Sequence, residues 1–119
     1  MNILVEKLEA LTVLIVSDKL VPSDIESVLR VVEDGFENLI LDLGNCSKAE
    51  NPDDLDCIET LQESRDEMEK SLVLCGVSSE LLEQIKVKFD EDFFNIVPTR
   101  NEAVDMVYME EQERSFFSK

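Results

Sequence analysis

Short apolar runs of strand length recur along this chain. They are rich in leucine and β-branched residues, and polar or glycine-containing segments separate them, which is typical of strands buried in a sheet. Five such runs occupy positions 3–8, 11–16, 39–43, 71–75 and 93–97. The first is weakly patterned and predicts an edge strand, whereas 39–43 predicts a central strand that is buried on both faces.

Segments with apolar residues three or four positions apart lie between these runs and after the last one, and they predict four helices. Ser23 and Glu26 form a capping box at the start of the first helix, and Gly35 ends it. Asn51 and Pro52 are residue types preferred where a helix begins, here the second one. The predicted inner faces consist of Ile25, Val28, Leu29 and Val32; Leu55, Ile58, Leu61 and Met68; Leu82, Ile85 and Phe89; and Ala103, Val104, Val107 and Tyr108.

Ser79 and Thr99 are the predicted N-caps of the third and fourth helices. Strands and helices then alternate after an opening strand pair. This order predicts an α/β fold with a mixed four- to five-stranded sheet and about four helices. No internal repeat or linker divides the sequence, so we expect a single domain over 1–119, with its core at 3–109 and a polar tail at 110–119.

Charge is the strongest signal in the composition. The 119 residues include 28 acids and 11 bases, which gives a formal net charge of −17. Such a charge repels phosphate backbones and anionic lipid surfaces, so we expect neither a nucleic acid nor a membrane as a partner. A basic protein, by contrast, would be attracted to this chain.

The residues that most often carry catalysis are scarce. The chain has no histidine and only three glycines, and it contains no phosphate-binding loop and no metal-binding motif. Cys46, Cys57 and Cys75 form no C-x-x-C pair, and Cys46 and Cys75 end apolar runs, which favours buried structural thiols. We therefore expect no cofactor, no metal and no enzymatic activity. The first residues lack the features of a signal peptide, so the expected location is the cytoplasm.

Three segments resemble the STAS family, the anti-sigma-factor antagonist domain that also occurs on anion transporters and stress sensors. Residues 13–20 (VLIVSDKL) are similar to a strand of that family and its loop, although the family's usual glycine is missing. Residues 39–43 (LILDL) resemble its central strand, and 94–104 (FNIVPTRNEAV) resemble its closing strand, turn and last helix. The resemblance covers about 11–108 and implies a STAS-like fold.

The resemblance also implies a function. Antagonists of this family bind a kinase or an anti-sigma factor through the start of the second helix and nearby loops. A phosphorylated serine or threonine at that helix start switches binding off. In this chain the matching region holds no hydroxyl and no glycine between Ala49 and Leu55, so phosphorylation at the usual site is not expected. The implied partner-binding residues are Asn51, Pro52, Asp53, Asp54, Ser17 and Asp18.

Two interpretations of this helix start remain open. Asp53 or Asp54 supplies a permanent negative charge where a phosphoserine would otherwise lie. Alternatively, residues 51–54 only cap the helix, and any partner surface lies elsewhere.

Two other functions compete with a regulatory protein-binding module. The chain would be a carrier of a small apolar ligand if the sheet and a helix enclosed a cavity. It would be a homo-oligomeric structural component, such as a homodimer, if Phe116 and Phe117 contacted a second copy.

Overall fold

A computed structural model describes residues 3–33, 38–46, 49 and 51–117, and within them it confirms the predicted α/β fold. A single 3-10 turn over Pro52–Leu55 precedes the second helix. The elements in chain order are β1 (Ile3–Leu8), β2 (Leu11–Asp18), α1 (Pro22–Glu33), β3 (Asn38–Cys46), α2 (Asp56–Glu67), β4 (Leu72–Cys75), α3 (Ser79–Lys88), β5 (Asn95–Val97) and α4 (Arg100–Phe117).

The five strands lie in the sheet in the same order as in the chain. β1 pairs antiparallel with β2, and β2 to β5 are parallel neighbours. Crossovers between parallel strands are right-handed. Because the strand order never reverses, three right-handed crossovers place α1, α2 and α3 on the same face of the sheet. Among the described residues, no crossover helix lies on the opposite face, and α4 covers it.

The alternation of side chains along the strands divides the core into two clusters. On the three-helix face, Leu41 of β3 packs in one cluster with Ile25, Ile58 and Leu81 from α1, α2 and α3. On the other face, Ile40 of β3 packs in a second cluster with Ala103 and Val107 of α4. Neighbouring residues of the central strand thus serve different cores, which explains its unbroken apolar sequence.

Two predicted helix starts differ from the structure, the first by two positions and the third by one. α1 begins at Pro22, and the amides of Asp24 and Ile25 donate to the carbonyl of Val21, so Ser23 lies inside the first turn. Proline fits this position because its fixed φ suits a helix and its missing N–H would have no helical partner. α3 is capped by Ser78, whose hydroxyl accepts from the amide of Leu81, and not by Ser79.

The last helix confirms one prediction and corrects two others. The cap at Thr99 is confirmed, since its hydroxyl accepts from the amide of Glu102. The ring of Tyr108 is not enclosed in the core: the residue is 38% exposed, and its hydroxyl donates to the carbonyl of Glu9. The predicted polar tail is helical through Phe117 as the end of α4. Gly35, predicted to end the first helix, lies outside the described residues, as do the side chains of Leu29 and Val32.

A polar cluster fixes the last turns of α4 to the sheet. Asn38, at the start of β3, is 1% exposed, and its side-chain oxygen accepts from the amide of Ser71 and from Arg114 of α4. Its side-chain amide donates to the carbonyl of Ala10 and to Glu111. Asn38 and Arg114 both donate hydrogen bonds to the carboxylate of Glu111, and these bonds lower the pKa of Glu111. The charged positions of the predicted tail therefore hold α4 in place.

Candidate functional site

The N-termini of α1 to α4 lie at the carboxyl end of the sheet, because each of these helices follows the carboxyl end of a parallel strand. At the start of α2, the side-chain oxygen of Asn51 accepts from the amide of Asp53 at 3.0 Å. Pro52 takes the first position of the 3-10 turn, and Asn51 is its N-cap. The predicted capping chemistry is confirmed, although it begins a 3-10 turn that leads into the α-helix.

Helix α3 packs beside this turn and holds it at two points. The side-chain amide of Gln84 makes two hydrogen bonds of 2.9 Å with the backbone of Ala49, accepting from its N–H and donating to its carbonyl. Lys88 lies 3.3 Å from Asp53 and 2.8 Å from Asp56, and hydrogen bonds to these carboxylates raise the pKa of Lys88. The carboxylate of Asp53 is therefore engaged with α3 and not with the amides of its own turn.

A shallow groove of about 460 Å³ lies between the turn and α3. Its apolar part consists of Pro52 and Val87, and Val87 is 87% exposed. Asp53, with a side chain that is 81% exposed, stands beside the groove and is tied to it through Lys88. We call this region the helix-start surface, and it consists of Pro52, Asp53, Glu83, Gln84, Val87 and Lys88.

The α3 residues of this surface were missed by the sequence reasoning. The sequence pattern assigned the inner face of α3 to Leu82, Ile85 and Phe89, whereas the structure buries Leu81 and Ile85 and leaves Leu82 half-buried. Val87 belongs to neither set. An exposed valine on a charged helix is a weak signal by itself, since single apolar side chains at the surface are common. It becomes informative because Pro52 lies across the same groove.

Ser17 and Asp18 also lie at the carboxyl end of the sheet, but they belong to β2 and not to the start of α2. They end β2 and pair in register with Asn45 and Cys46 of β3. Asp18 is exposed and has a φ of 69°, the left-handed conformation that glycine adopts most easily and aspartate tolerates. The loop lacks the glycine that the resemblance would place in it, and Asp18 in this loop takes up a backbone conformation that favours glycine.

The carboxyl ends of β3 and β4 approach each other closely. Asp42 accepts from the amide of Gly44 at 3.0 Å, so its carboxylate is bonded to nearby backbone. Gly76 follows β4 with a φ of +67°, and a Cβ atom there would lie 2.9 Å from the backbone of Gly44. The backbones of Gly44 and Gly76 are therefore packed against each other, which leaves little space between the carboxyl ends of β3 and β4.

Phe116, the candidate oligomer contact, is 74% exposed in the last turn of α4. It lines a shallow surface groove with Met109, Gln112 and Glu113, on the opposite side of the sheet from the helix-start surface. The side chain of Phe117 lies outside the described residues. An oligomer contact through this pair stays a prediction.

The three cysteines lie in surroundings that disfavour the thiolate. Cys46 and Cys75 are buried and Cys57 is half-buried. Burial and the nearby Asp54 raise the pKa of Cys57 to about 12, and burial and Asp42 raise that of Cys75 to about 11. In the described part of the chain, no three cysteine, aspartate or glutamate side chains converge as metal ligands, and no helix is long and apolar enough to cross a bilayer.

We expect these thiols to react slowly in the folded protein because the nucleophile is the thiolate. Because burial raises the pKa of Cys57 to about 12, this thiol should react with Ellman's reagent at pH 8 at least about tenfold more slowly than a free thiol. Absorbance at 412 nm should show three thiols within minutes in 6 M guanidinium chloride and almost none in buffer. A rapid phase with the full stoichiometry of three thiols in buffer would show that the thiols are accessible and ionise normally in the folded protein.

Two solved structures share the architecture of this chain. RsbS from Moorella thermoacetica, in a variant with one serine replaced by glutamate, is 11% identical, with a TM-score of 0.79 over 94% of this chain and 99% of that one. The anti-sigma factor antagonist SpoIIAA in its unphosphorylated form is 12% identical, with a TM-score of 0.72 over 89% and 96%. The fold is that of the STAS domain. No family model and no curated protein sequence matches the chain.

The resemblance predicted from the sequence is thus confirmed for the fold. Within this STAS fold, 13–20 form most of β2 and its loop, 39–43 lie in the centre of β3, and 94–104 span β5 and the first turn of α4. With so few identical residues, the likeness rests on the order and packing of the elements. The chemistry of any site has to be argued from the residues of this chain.

Proposed function

We propose that this chain is a non-enzymatic regulatory module that binds a signalling protein, such as an anti-sigma factor or a kinase, through the helix-start surface. The observation that carries this proposal is the exposure of Val87 beside Pro52, with the charged side chains of Glu83 and Lys88 in the same groove. An apolar centre with a polar rim is the usual anatomy of a protein–protein contact. The STAS fold, shared with a protein described as an anti-sigma factor antagonist, supports the regulatory class.

The rim of the surface is ordered before a partner binds. Lys88 joins Asp53 and Asp56, and Gln84 fixes the backbone of Ala49. A surface whose side chains are already positioned loses less conformational entropy on binding. Its net charge favours a partner with basic residues around an apolar contact, which agrees with the −17 charge of the whole chain.

The strand order supports a binding role over catalysis. In open parallel sheets, ligands bind in a crevice where the strand order reverses. Here the order of β2 to β5 never reverses, so neighbouring crossovers do not diverge to opposite faces. The close approach of Gly76 to Gly44 fills the space between two of the strand ends.

We further propose that the negative charge of this surface is permanent and that binding is not switched by phosphorylation at the usual site. Asp53 holds its carboxylate at the exposed edge of the turn, and no residue from Ala49 to Leu55 carries a hydroxyl. The Asn51 cap and the Asp53 charge coexist, because the cap uses the Asn51 side chain and leaves the Asp53 carboxylate for Lys88.

The test begins with a pull-down from the host lysate and a titration of the purified partner. We expect Val87→Asp and Asp53→Lys each to raise the Kd at least about tenfold, because they place a charge in the apolar centre and reverse the charge of the rim. Isothermal titration calorimetry measures both. Neither change should unfold the protein, since both side chains are largely exposed.

Matched control variants separate local contact from general effects. Met109→Asp makes an apolar-to-acid change on the exposed face of α4, and Asp105→Lys reverses a charge there. Both should leave the Kd within about twofold of the wild type, because surface changes outside an interface have small effects. If Val87→Asp and Asp53→Lys bind as tightly as these controls, the helix-start surface is the wrong one.

A further inference from the structure

A second groove lies on the other side of α3, away from the helix-start surface. It has a volume of about 340 Å³ and lies between α3 and β5. Its apolar lining consists of Leu82, Ile85, Phe89, Phe94 and Ile96. Ligand pockets in proteins commonly begin at about 300 Å³, so the space suffices for one or two large side chains.

The walls of this groove are held in place by an aromatic cluster. The ring centroids of Phe89 and Phe94 are 5.0 Å apart in an edge-to-face arrangement, and Phe93 lies 5.3 Å from Phe89 and 4.7 Å from Phe94. Three mutually packed rings resist rearrangement. Phe94 is buried, while Leu82, Phe89 and Ile96 are each only partly covered, so the apolar surface of the groove faces solvent.

The groove runs beside an open strand edge. β5 is the last strand of the sheet and pairs with β4 on one side, and no other described strand pairs with its outer side. An open edge presents backbone N–H and C=O groups that can accept another strand. A helix next to such an edge forms the arrangement in which extended peptides bind by strand addition, with main-chain bonds to the edge and side chains in the groove.

The charges at the mouth indicate the chemistry of the occupant. Asp90 and Glu91 line the groove, and Asp92 follows them in the same exposed turn, against one base, Lys86. A carboxylate pair beside an apolar slot favours a large apolar side chain flanked by lysine or arginine. A second copy of this chain fits poorly, because two molecules of charge −17 repel each other.

We propose that the edge of β5 and the groove beside it form a second binding site, which takes an extended basic peptide as a sixth strand. The peptide bonds its backbone to Asn95–Val97, inserts one apolar side chain between Leu82 and Ile96, and places a cationic side chain near Asp90 and Glu91. This site is separate from the helix-start surface, since the two grooves are lined by different residues of α3.

Four fluorescein-labelled nonapeptides test the site. In each peptide valine and lysine alternate, and the central residue is leucine, isoleucine, phenylalanine or tyrosine. We expect at least one to bind with a Kd below about 100 μM by fluorescence anisotropy, an affinity typical of a weak, specific contact. In ¹H–¹⁵N spectra the shifted amides should lie in α3 and 90–97. No saturation by any peptide below about 1 mM would overturn the proposal.

Two controls test separately the acidic residues at the mouth of the groove and the backbone hydrogen bonds to β5. The double variant Asp90→Lys, Glu91→Lys should weaken binding at least about tenfold, whereas Asp105→Lys, Glu113→Lys, with the same change in net charge, should weaken it less than about threefold. A peptide with alternate backbone nitrogens methylated should lose binding, since it cannot add to a strand edge. Equal losses of affinity in both double variants, or full binding of the methylated peptide, would contradict the proposed strand addition. Val87→Asp should leave this binding unchanged, which separates the result from that of the helix-start surface.

Discussion

Replacing Gly76 with alanine should lower the free energy of unfolding by about 3 kcal/mol, a large effect for one methyl group. Two costs combine at this position. The φ of +67° is unfavourable for any residue with a side chain, and the added Cβ would lie 2.9 Å from both the Cα and the amide nitrogen of Gly44. The contact is with backbone of a central strand, which cannot move aside. Guanidinium denaturation followed by circular dichroism measures the loss.

Gly44→Ala is the matched control for this change. Its Cβ would lie 3.2 Å from a carboxylate oxygen of Asp42, a side chain that can shift, and Gly44 has no positive φ. We expect a loss of no more than about 1 kcal/mol. Gly76→Asn is informative as well, because asparagine tolerates the left-handed conformation but keeps the Cβ contact, so it should recover little stability. Equal losses for Gly44→Ala and Gly76→Ala would show that the close approach is not the cause.

The second large effect is expected at Asn38. Asn38→Ala removes the partner of the Ser71 amide and of the Ala10 carbonyl, and it removes one partner each from Arg114 and Glu111. A buried polar group that loses its hydrogen bond costs about 1–3 kcal/mol, so several such losses in one cluster should total about 3 kcal/mol. Thermal and chemical unfolding report the loss, and hydrogen exchange should show the last turns of α4 opening first.

Asn95→Ala provides the comparison for this cluster. Asn95 is half-buried, and its side chain makes one long hydrogen bond of 3.3 Å, to Glu110. Its loss should lower stability by no more than about 1 kcal/mol. If the two asparagine variants unfold at the same denaturant concentration, the four bonds of Asn38 do not act as a unit.

Most of the fold could be predicted because each strand and each helix cap depends on a short segment of the sequence. Each parallel strand is a short apolar run, and the caps at Asn51 and Thr99 involve residues only two or three positions away. The role of Asn38 could not be predicted this way. Its partners Ser71, Glu111 and Arg114 lie 33, 73 and 76 positions away, and a polar residue before an apolar run usually indicates nothing more than a strand end.

Burial of polar side chains in α2 was also missed. The sequence pattern assigns its inner face to Leu55, Ile58 and Leu61, but Arg65 is 0% exposed and Gln62 is 7% exposed. Both are charged or polar residue types that usually lie at the surface, so periodicity alone assigns them to the solvent side. Their burial follows from how α2 lies against its neighbours, which local sequence does not encode.

The candidate site divides in the same way. Residues 51–54 could be found because helix caps and family resemblance both concern one short segment. The α3 half of the surface depends on the distance between two helices that the chain connects only through β4. Lys88 reaches Asp53 and Asp56 across 35 and 32 positions, so no local signal predicts the contact.

The dependence of one sheet face on α4 has a consequence for synthesis on the ribosome. β1 to β5 can pair one after another as they emerge, since each strand joins the one made just before it. Val13, Ile40 and Val73, however, have no cover until α4 has been translated. A nascent chain that pauses before Arg100 would therefore expose an apolar sheet face, and this is the interval in which aggregation or capture by a chaperone is favoured.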